Sequence, residues 1–354
     1  MRIGYFHGGR TLMLYRAQLN GEYDKEEIKV ELITKNLNQS DYFIVPKSHD
    51  QVIRQRHFGK ATGDELVNLL IEGKLDGATI GEVAFIKAVL EKKSIIAVAQ
   101  LGFDTLEHPG HGIVIRSGIK INTPKDLKGL IFGSRRSSGG DLIFLREFLL
   151  SEGLDPDKDV EIIENIPEDK YLKYIADGTI QAGFSHLLSL RKLVNRKKAY
   201  IYRPMNWINP ELSQGVLVFS EKYLREHPDN VEKMIRTYMK RISYEISLPT
   251  AQRRPEVKDT NKGLEMETDF HGMNLPQYHK VPLVPINLLN QMQALLVKHH
   301  KMDKIVHLEN FIDDRFVKNV ANELYPQGKT LPFSRETFSK KVKADPQDKE
   351  DLSE

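Results

Sequence analysis

Asp64-Glu65-Leu66-Val67-Asn68-Leu69-Leu70-Ile71-Glu72-Gly73-Lys74-Leu75-Asp76-Gly77 has a counterpart 105 residues further on, in Asp169-Lys170-Tyr171-Leu172-Lys173-Tyr174-Ile175-Ala176-Asp177-Gly178-Thr179-Ile180-Gln181-Ala182. The two stretches share an acid at the start, the spacing of their apolar positions, and a glycine after the last helical turn. The correspondence continues without a gap to Lys92-Lys93 against Lys197-Lys198, then to Ile95-Ile96-Ala97-Val98 against Tyr200-Ile201-Tyr202-Arg203. Gly73 and Gly178 suit the left-handed residue that closes a helix. Each copy therefore reads as helix, short buried strand, helix, strand.

Working outward, each copy is preceded by a strand, a glycine-rich turn, a helix and another strand. The first set covers 3–6, His7-Gly8-Gly9, 11–19 and 28–33; the second covers 130–132, 133–140, 141–151 and 160–163. Strands alternating with helices imply parallel sheets covered on both faces, so the expected class is α/β with two similar lobes. Strand-like runs at Gly112-Ile113-Val114-Ile115 and Gly215-Val216-Leu217-Val218-Phe219 bracket the second lobe. That assigns residues 1–113 plus 217–330 to a discontinuous lobe one and 114–216 to lobe two. Beyond it, 221–246 predicts one helix capped by Ser220. Residues 249–285 are proline-punctuated and aperiodic, 286–298 returns to helix, and 331–354 reads as a largely disordered tail.

Composition narrows the function. A chain of 354 residues fits about two domains, and 40% hydrophobic with 29% charged residues is ordinary for a globular protein. The net charge of +3 is too small for a nucleic-acid footprint. The absence of cysteine removes disulfides, thiolate nucleophiles, cysteine-bound zinc and iron–sulfur clusters. No apolar run is long enough to span a bilayer, and Met1-Arg2-Ile3-Gly4-Tyr5-Phe6 enters a strand without a charged-then-apolar leader. As written the chain reads as cytoplasmic; removal of a leader would make it a periplasmic or cell-envelope protein.

The run Ile121-Asn122-Thr123-Pro124-Lys125-Asp126-Leu127-Lys128-Gly129-Leu130-Ile131-Phe132-Gly133 is similar to the start of lobe two in type II periplasmic binding proteins. Phe148-Leu149-Leu150-Ser151-Glu152-Gly153-Leu154-Asp155-Pro156-Asp157-Lys158-Asp159-Val160 resembles the helix, Gly-Leu turn and strand of the same group. The two glycine turns at 73–77 and 178–182 match its turn before the cleft strand. The nearest resemblance, over about residues 1–245, is to the sulfonate/nitrate/thiamin-precursor group, the SsuA/THI5-like solute-binding proteins of ABC transporters. It implies a two-lobed Venus-flytrap fold with two crossover strands as hinge, closing on a small-molecule ligand, with an ABC-transporter permease as possible partner. A monomer without cofactor or nucleic acid is expected.

Ligands of open α/β sheets sit beyond the carboxyl ends of the strands, where helix N-termini expose N–H groups. Four turns qualify. In His7-Gly8-Gly9-Arg10-Thr11 the glycines allow close backbone approach and Arg10 offers a planar fork to a carboxylate or sulfonate, or is a surface arginine on a tight turn. In Thr79-Ile80-Gly81-Glu82, Thr79 can donate, while Glu82 suits a helix N-terminus. Gly133-Ser134-Arg135-Arg136-Ser137-Ser138-Gly139-Gly140-Asp141 gathers hydroxyls, guanidinium groups and N–H groups for an anion, without the Lys-Ser/Thr ending of a nucleotide loop. In Gly183-Phe184-Ser185-His186, Ser185 can bond a ligand, Phe184 can pack on it, and His186 can do either or cap a helix. Trp207, the single tryptophan, is an apolar wall for the ligand or a packing anchor. The expected ligand is an organic anion or polar aromatic solute. His108 with His111, and His299-His300 with His307, lack metal-ligand spacing, so no metal is expected.

An enzyme on the same fold is the alternative. The thiamin-pyrimidine synthases, similar in fold, use a lysine and a histidine in the segment equivalent to 77–87 and a cysteine-rich iron-binding run; here residues 77–86 hold neither and there is no cysteine. The aromatic sulfinate desulfinases need a cysteine near the first cleft turn, which His7 and Arg10 occupy. Both activities are excluded. A cysteine-independent hydrolase or decarboxylase with His7 or His186 as base stays open.

Overall fold

A computed structural model describes residues 1–5, 11–35, 41–45, 61–105, 108–135, 139–187, 193–205, 211–248 and 277–326. Their strands, in chain order, are β1 (Arg2–Gly4), β2 (Glu31–Lys35), β3 (Tyr42–Ile44), β4 (Gly77–Ile80), β5 (Ile95–Gln100), β6 (Phe103–Thr105), β7 (His111–Arg116), β8 (Ile131–Gly133), β9 (Glu161–Ile163), β10 (Ala182–His186), β11 (Ala199–Pro204), β12 (Glu211–Ser213) and β13 (Val216–Ser220). The helices are α1 (Leu12–Leu19), α2 (Glu22–Lys25), α3 (Gly63–Ile71), α4 (Glu82–Leu90), α5 (Gly140–Ser151), α6 (Glu168–Asp177), α7 (Glu221–Glu226), α8 (Pro228–Ser247), α9 (Ile286–Lys298) and α10 (Arg315–Leu324).

The strands form two sheets and a ribbon. The first sheet has the order β3-β2-β1-β4-β13-β5, the second β11-β7-β10-β8-β9, and β6 pairs with β12 alone. Apart from the edge strand β3, the sheets are built alike. In the first, β2, β1 and β4 run parallel and β13 lies antiparallel between β4 and β5. In the second, β9, β8 and β10 run parallel and β7 lies antiparallel between β10 and β11. The run of three parallel strands is thus completed in each sheet by a strand reaching it from a crossover. Residues 3 and 131–133 lie in different sheets, as two separate lobes require.

The sequence repeat is a structural repeat. A shift of 105 residues carries β4 onto β10 and β5 to within a residue of β11. It carries Gly73 (φ +70°) onto Gly178 (φ +90°), the left-handed residues after α3 and α6. It also carries Lys92 (φ +56°) onto Lys197 (φ +55°), a conformation uncommon for a residue with a side chain. The start of α3 is fixed by a reciprocal cap: Thr62 Oγ1 accepts from the Glu65 amide at 3.1 Å, and the Glu65 carboxylate accepts from the Thr62 amide at 2.6 Å.

The helix expected over 221–246 is two helices. Ser220 caps the first, its hydroxyl accepting from the Tyr223 amide at 3.2 Å. The break falls at His227 (φ −137°, ψ +48°), because Pro228 has no N–H to continue the ladder and its ring pushes the preceding residue out of helical geometry. Pro228 then opens α8, which buries Val231, Met234, Ile235, Tyr238 and Ile242 and packs on α1 and α10. Helix α9 spans 286–298 as expected, and residues 277–285 before it hold only a bridge from Gln277 to Phe103. Residues 249–276 and 327–354 lie outside the described residues. Leu289, Met292 and Leu296 of α9 join one continuous apolar cluster with Phe85 and Val89 of α4 and Phe144 and Phe148 of α5. Among the described residues no helix is long and apolar enough to cross a membrane.

Candidate functional site

The carboxyl ends of β1 and β4 lead into Tyr5 and into Gly81-Glu82; those of β8 and β10 lead into Ser134-Arg135 and end in Ser185-His186. Helices α4 and α5 start from these turns, each with an acid in its first turn, Glu82 and Asp141. Tyr5 is fully buried, and burial pushes its phenol well above the usual tyrosine range against a hydrogen bond from Thr11. Glu82 meets Phe144 of α5 and Glu211 of β12 around a cavity of about 20 Å³, room for roughly one water.

Of the residues singled out from sequence, Thr79, Arg135, Phe184, Ser185 and His186 are described; His7, Gly9, Arg10, Ser137, Ser138 and Trp207 lie outside the described residues. Thr79 is buried, and its hydroxyl donates to the Gly4 carbonyl at 3.1 Å, tying β4 to the end of β1. Arg135 is held back onto its own turn: Nε donates to Asp141 at 2.6 Å, and the guanidinium lies 5.7 Å from the Tyr171 ring centre. The Tyr171 hydroxyl is shared between the carbonyls of Phe184 (2.9 Å) and Gly133 (3.2 Å), so one side chain of α6 joins the ends of β10 and β8.

Ser185 differs from Thr79 and Arg135. It is 1% exposed, and among the described residues its hydroxyl has no hydrogen-bond partner, a state it shares with the buried Thr34 of β2. A hydroxyl taken from water and left unsatisfied costs about 1–3 kcal/mol.

The neighbouring positions carry stacked rings. Phe184 lies parallel to His111 at 5.4 Å and tilted against Phe144 at 5.5 Å, while His186 and His111 have ring centres 4.0 Å apart. His111 Nδ1 lies 2.5 Å from Asp104, whose carboxylate also accepts from Gln214 Nε2. Asp104, His111 and Gln214 are all buried. The chain's outgoing crossover carries Asp104 and His111, and its return carries Gln214, so this network ties the two crossovers together. On the same ribbon, His279 lies 3.0 Å from Glu211 and stacks on Phe103 at 4.0 Å.

Sequence reasoning considered His111 only as a metal ligand and missed its carboxylate. The one local mark of it is Gly110: a Cβ there would collide with the Asp104 carboxylate, so only glycine lets Asp104 reach His111. Among the described residues no group of three or more His, Asp or Glu side chains is arranged to hold a metal ion.

Two sheets of like order, each completed by an antiparallel crossover strand, are the two-lobed fold of type II periplasmic binding proteins. Solved structures agree. The nitrate-binding protein NrtA of Synechocystis PCC 6803 superposes with a TM-score of 0.69 at 12% identity, covering 94% of this chain and 91% of that one. The aliphatic sulphonate binding protein SsuA from Escherichia coli gives 0.62 at 14%, covering 88% and 91%. A mutant of DSZB, a desulfurization enzyme, in complex with biphenyl-2-sulfinic acid gives 0.63 at 14%, covering 91% and 99%. The NMT1/THI5-like family model matches residues 60–252, and the chain belongs to that family. No curated protein matches the sequence.

Proposed function

We propose that the protein binds a small organic anion or polar aromatic solute between two lobes, 1–113 plus 217–330 and 114–216, and closes on it as the substrate-binding component of an ABC importer. The observation that carries this reading is Ser185: a buried hydroxyl with no partner among the described residues, at the carboxyl end of a strand that pairs parallel to β8, where Thr79 and Arg135 on neighbouring turns have found theirs. A ligand atom that bonds it offsets the cost of leaving it dry. The N-termini of α4 and α5, which follow the ends of β4 and β8 and already carry Glu82 and Asp141, are positions that favour negative charge. Nitrate, sulphonates and a sulfinic acid, named with the similar structures, are oxyanions of that kind. In this reading Arg10, the Ser137/Ser138 turn and Ser185 bond the anionic end, and Trp207 or Phe184 packs on any apolar part.

A thermal-shift screen of nitrate, alkanesulfonates and arylsulfinates identifies the ligand class, and calorimetry on Ser185→Ala and Arg10→Ala tests the site. Each variant is expected to weaken binding at least about tenfold, the worth of one good hydrogen bond to a charged group. Unchanged affinity in both sinks the assignment.

The imidazole pair His111/His186, one member held by Asp104, keeps a second reading in view: hydrolysis or decarboxylation with His186 or His7 as base. Mass spectrometry of the ligand after incubation separates the two, since a binder returns it unchanged. An importer component acts as a monomer beside a permease and outside the cytoplasm; size-exclusion chromatography reads the first and cell fractionation the second.

A further inference from the structure

Helix α9 packs along α4 of lobe one and ends at Lys298. The next residue, His299, is 7% exposed and comes against α5 of lobe two. Arg146 Nε donates to His299 Nδ1 at 3.1 Å. An arginine nitrogen can only donate, so Nδ1 carries a lone pair and the ring proton sits on Nε2, which donates to Glu147 at 2.6 Å. The imidazole is thus neutral, and it works as a bridge between an obligate donor and an acceptor on consecutive residues of α5.

We propose that His299 is a proton-sensitive clasp between the two lobes, holding them together while its ring is neutral and releasing them when the ring is protonated. The proposal rests on the two-lobe reading above. A second ring proton has to go to Nδ1, where it points an N–H at the N–H of Arg146 and sets two cations side by side.

Among the described residues, charged groups face the ring from several elements. Arg146 and Glu147 face it from α5, and Lys298 on its own helix lies 2.6 Å from Glu147. Asp157, in the turn before β9, grips the far side of Arg146 at 2.8 and 2.5 Å, and Lys301 lies 3.7 Å from Glu164. Glu147 and Asp157 favour the imidazolium; Arg146 and Lys298 oppose it. Burial opposes it most, and the ring is held below the ordinary histidine range.

The sign follows. A ring whose pKa is lowered in the clasped form stabilises that form above about pH 6.5, the ordinary value, and loses hold as pH falls below it. Separation of the lobes wets the ring and restores that value, so opening takes up a proton. One linked proton raises the opening constant by at most about tenfold per pH unit.

The chain has no cysteine, so a Lys29→Cys/Lys173→Cys pair, one site on each lobe and both well exposed, takes spin labels cleanly for pulsed distance measurement on the full chain. In otherwise wild-type protein a longer distance is expected to gain population as pH falls below about 6.5, with circular dichroism unchanged. His299→Gln offers Arg146 an acceptor and Glu147 a donor but takes no proton, and it should hold the short distance over the same range. His299→Lys, permanently charged, should favour the long distance at every pH. Equal pH response in wild type and His299→Gln, or a response that accompanies loss of circular dichroism, overturns the clasp while leaving the hinge intact. A single distance in every variant at every pH overturns the clasp and the moving-lobe reading together.

Discussion

Arg16 shows what one misplaced charge would cost. Its guanidinium, 2% exposed, pairs with Glu245, 6% exposed, and next to them Arg241 bonds Glu22 at 3.0 Å. Such a pair ties α1 to α8 without being a large source of stability, because both charges have left water. Removing one member is another matter. Glu245→Ala should cost about 3–5 kcal/mol in urea denaturation, whereas the double replacement Arg16→Met/Glu245→Leu should lie within about 1 kcal/mol of wild type; near-equal losses in the two proteins would contradict this. At the same scale, the position of Ser185 and His186 at the carboxyl end of β10 was legible from sequence, since the repeat aligns them with the end of β4. The Asp104–His111–Gln214 network was not. Its members meet only because two crossovers, with Asp104 and Gln214 110 residues apart, are brought side by side, and only Gly110 marks the approach locally.

Among elements, the two copies of the repeat differ in a way that explains itself. Leu66 of α3 corresponds to Tyr171 of α6, and Ala78 of β4 corresponds to Gly183 of β10. The larger ring on the second helix is accommodated by the smaller residue on the second strand: a Cβ at 183 would run into the Tyr171 oxygen. Tyr171→Phe should cost about 1–2 kcal/mol, since the carbonyls of Gly133 and Phe184 lose their shared donor. Gly183→Ala should cost about 2–3 kcal/mol by overpacking. The pair Tyr171→Leu/Gly183→Ala, which copies the first repeat, should be less destabilised than the sum of its single changes. Additive losses in chemical denaturation would sink this account. The repeat itself was readable because its period is carried by apolar spacing and capping glycines, which are local. The break at His227 is equally local, and Pro228 is its sign.

For the molecule as a whole, a ligand favours closure only by binding both lobes better together than apart. Ser185 and the α5 start adjoin the second sheet, Tyr5 and the α4 start the first, so under the proposed two-lobe closure saturation with an identified ligand should reduce the radius of gyration in small-angle scattering. An unchanged profile at saturation would mean that one lobe holds the ligand alone. Lobes and crossovers were visible in the sequence as strands flanking a repeat. The course of α9 across both was not, because an amphipathic pattern tells which side of a helix is buried and not which two neighbours bury it.

The placement of β13 between β4 and β5 has a consequence for how the chain is made. A ribosome delivers β4 and β5 early, yet the strand that joins them arrives only with residues 216–220. All five strands of the second sheet, residues 111–204, have emerged by then. The half that appears first is therefore completed last, and until then it exposes the two strand edges that β13 will occupy, a liability for a nascent chain.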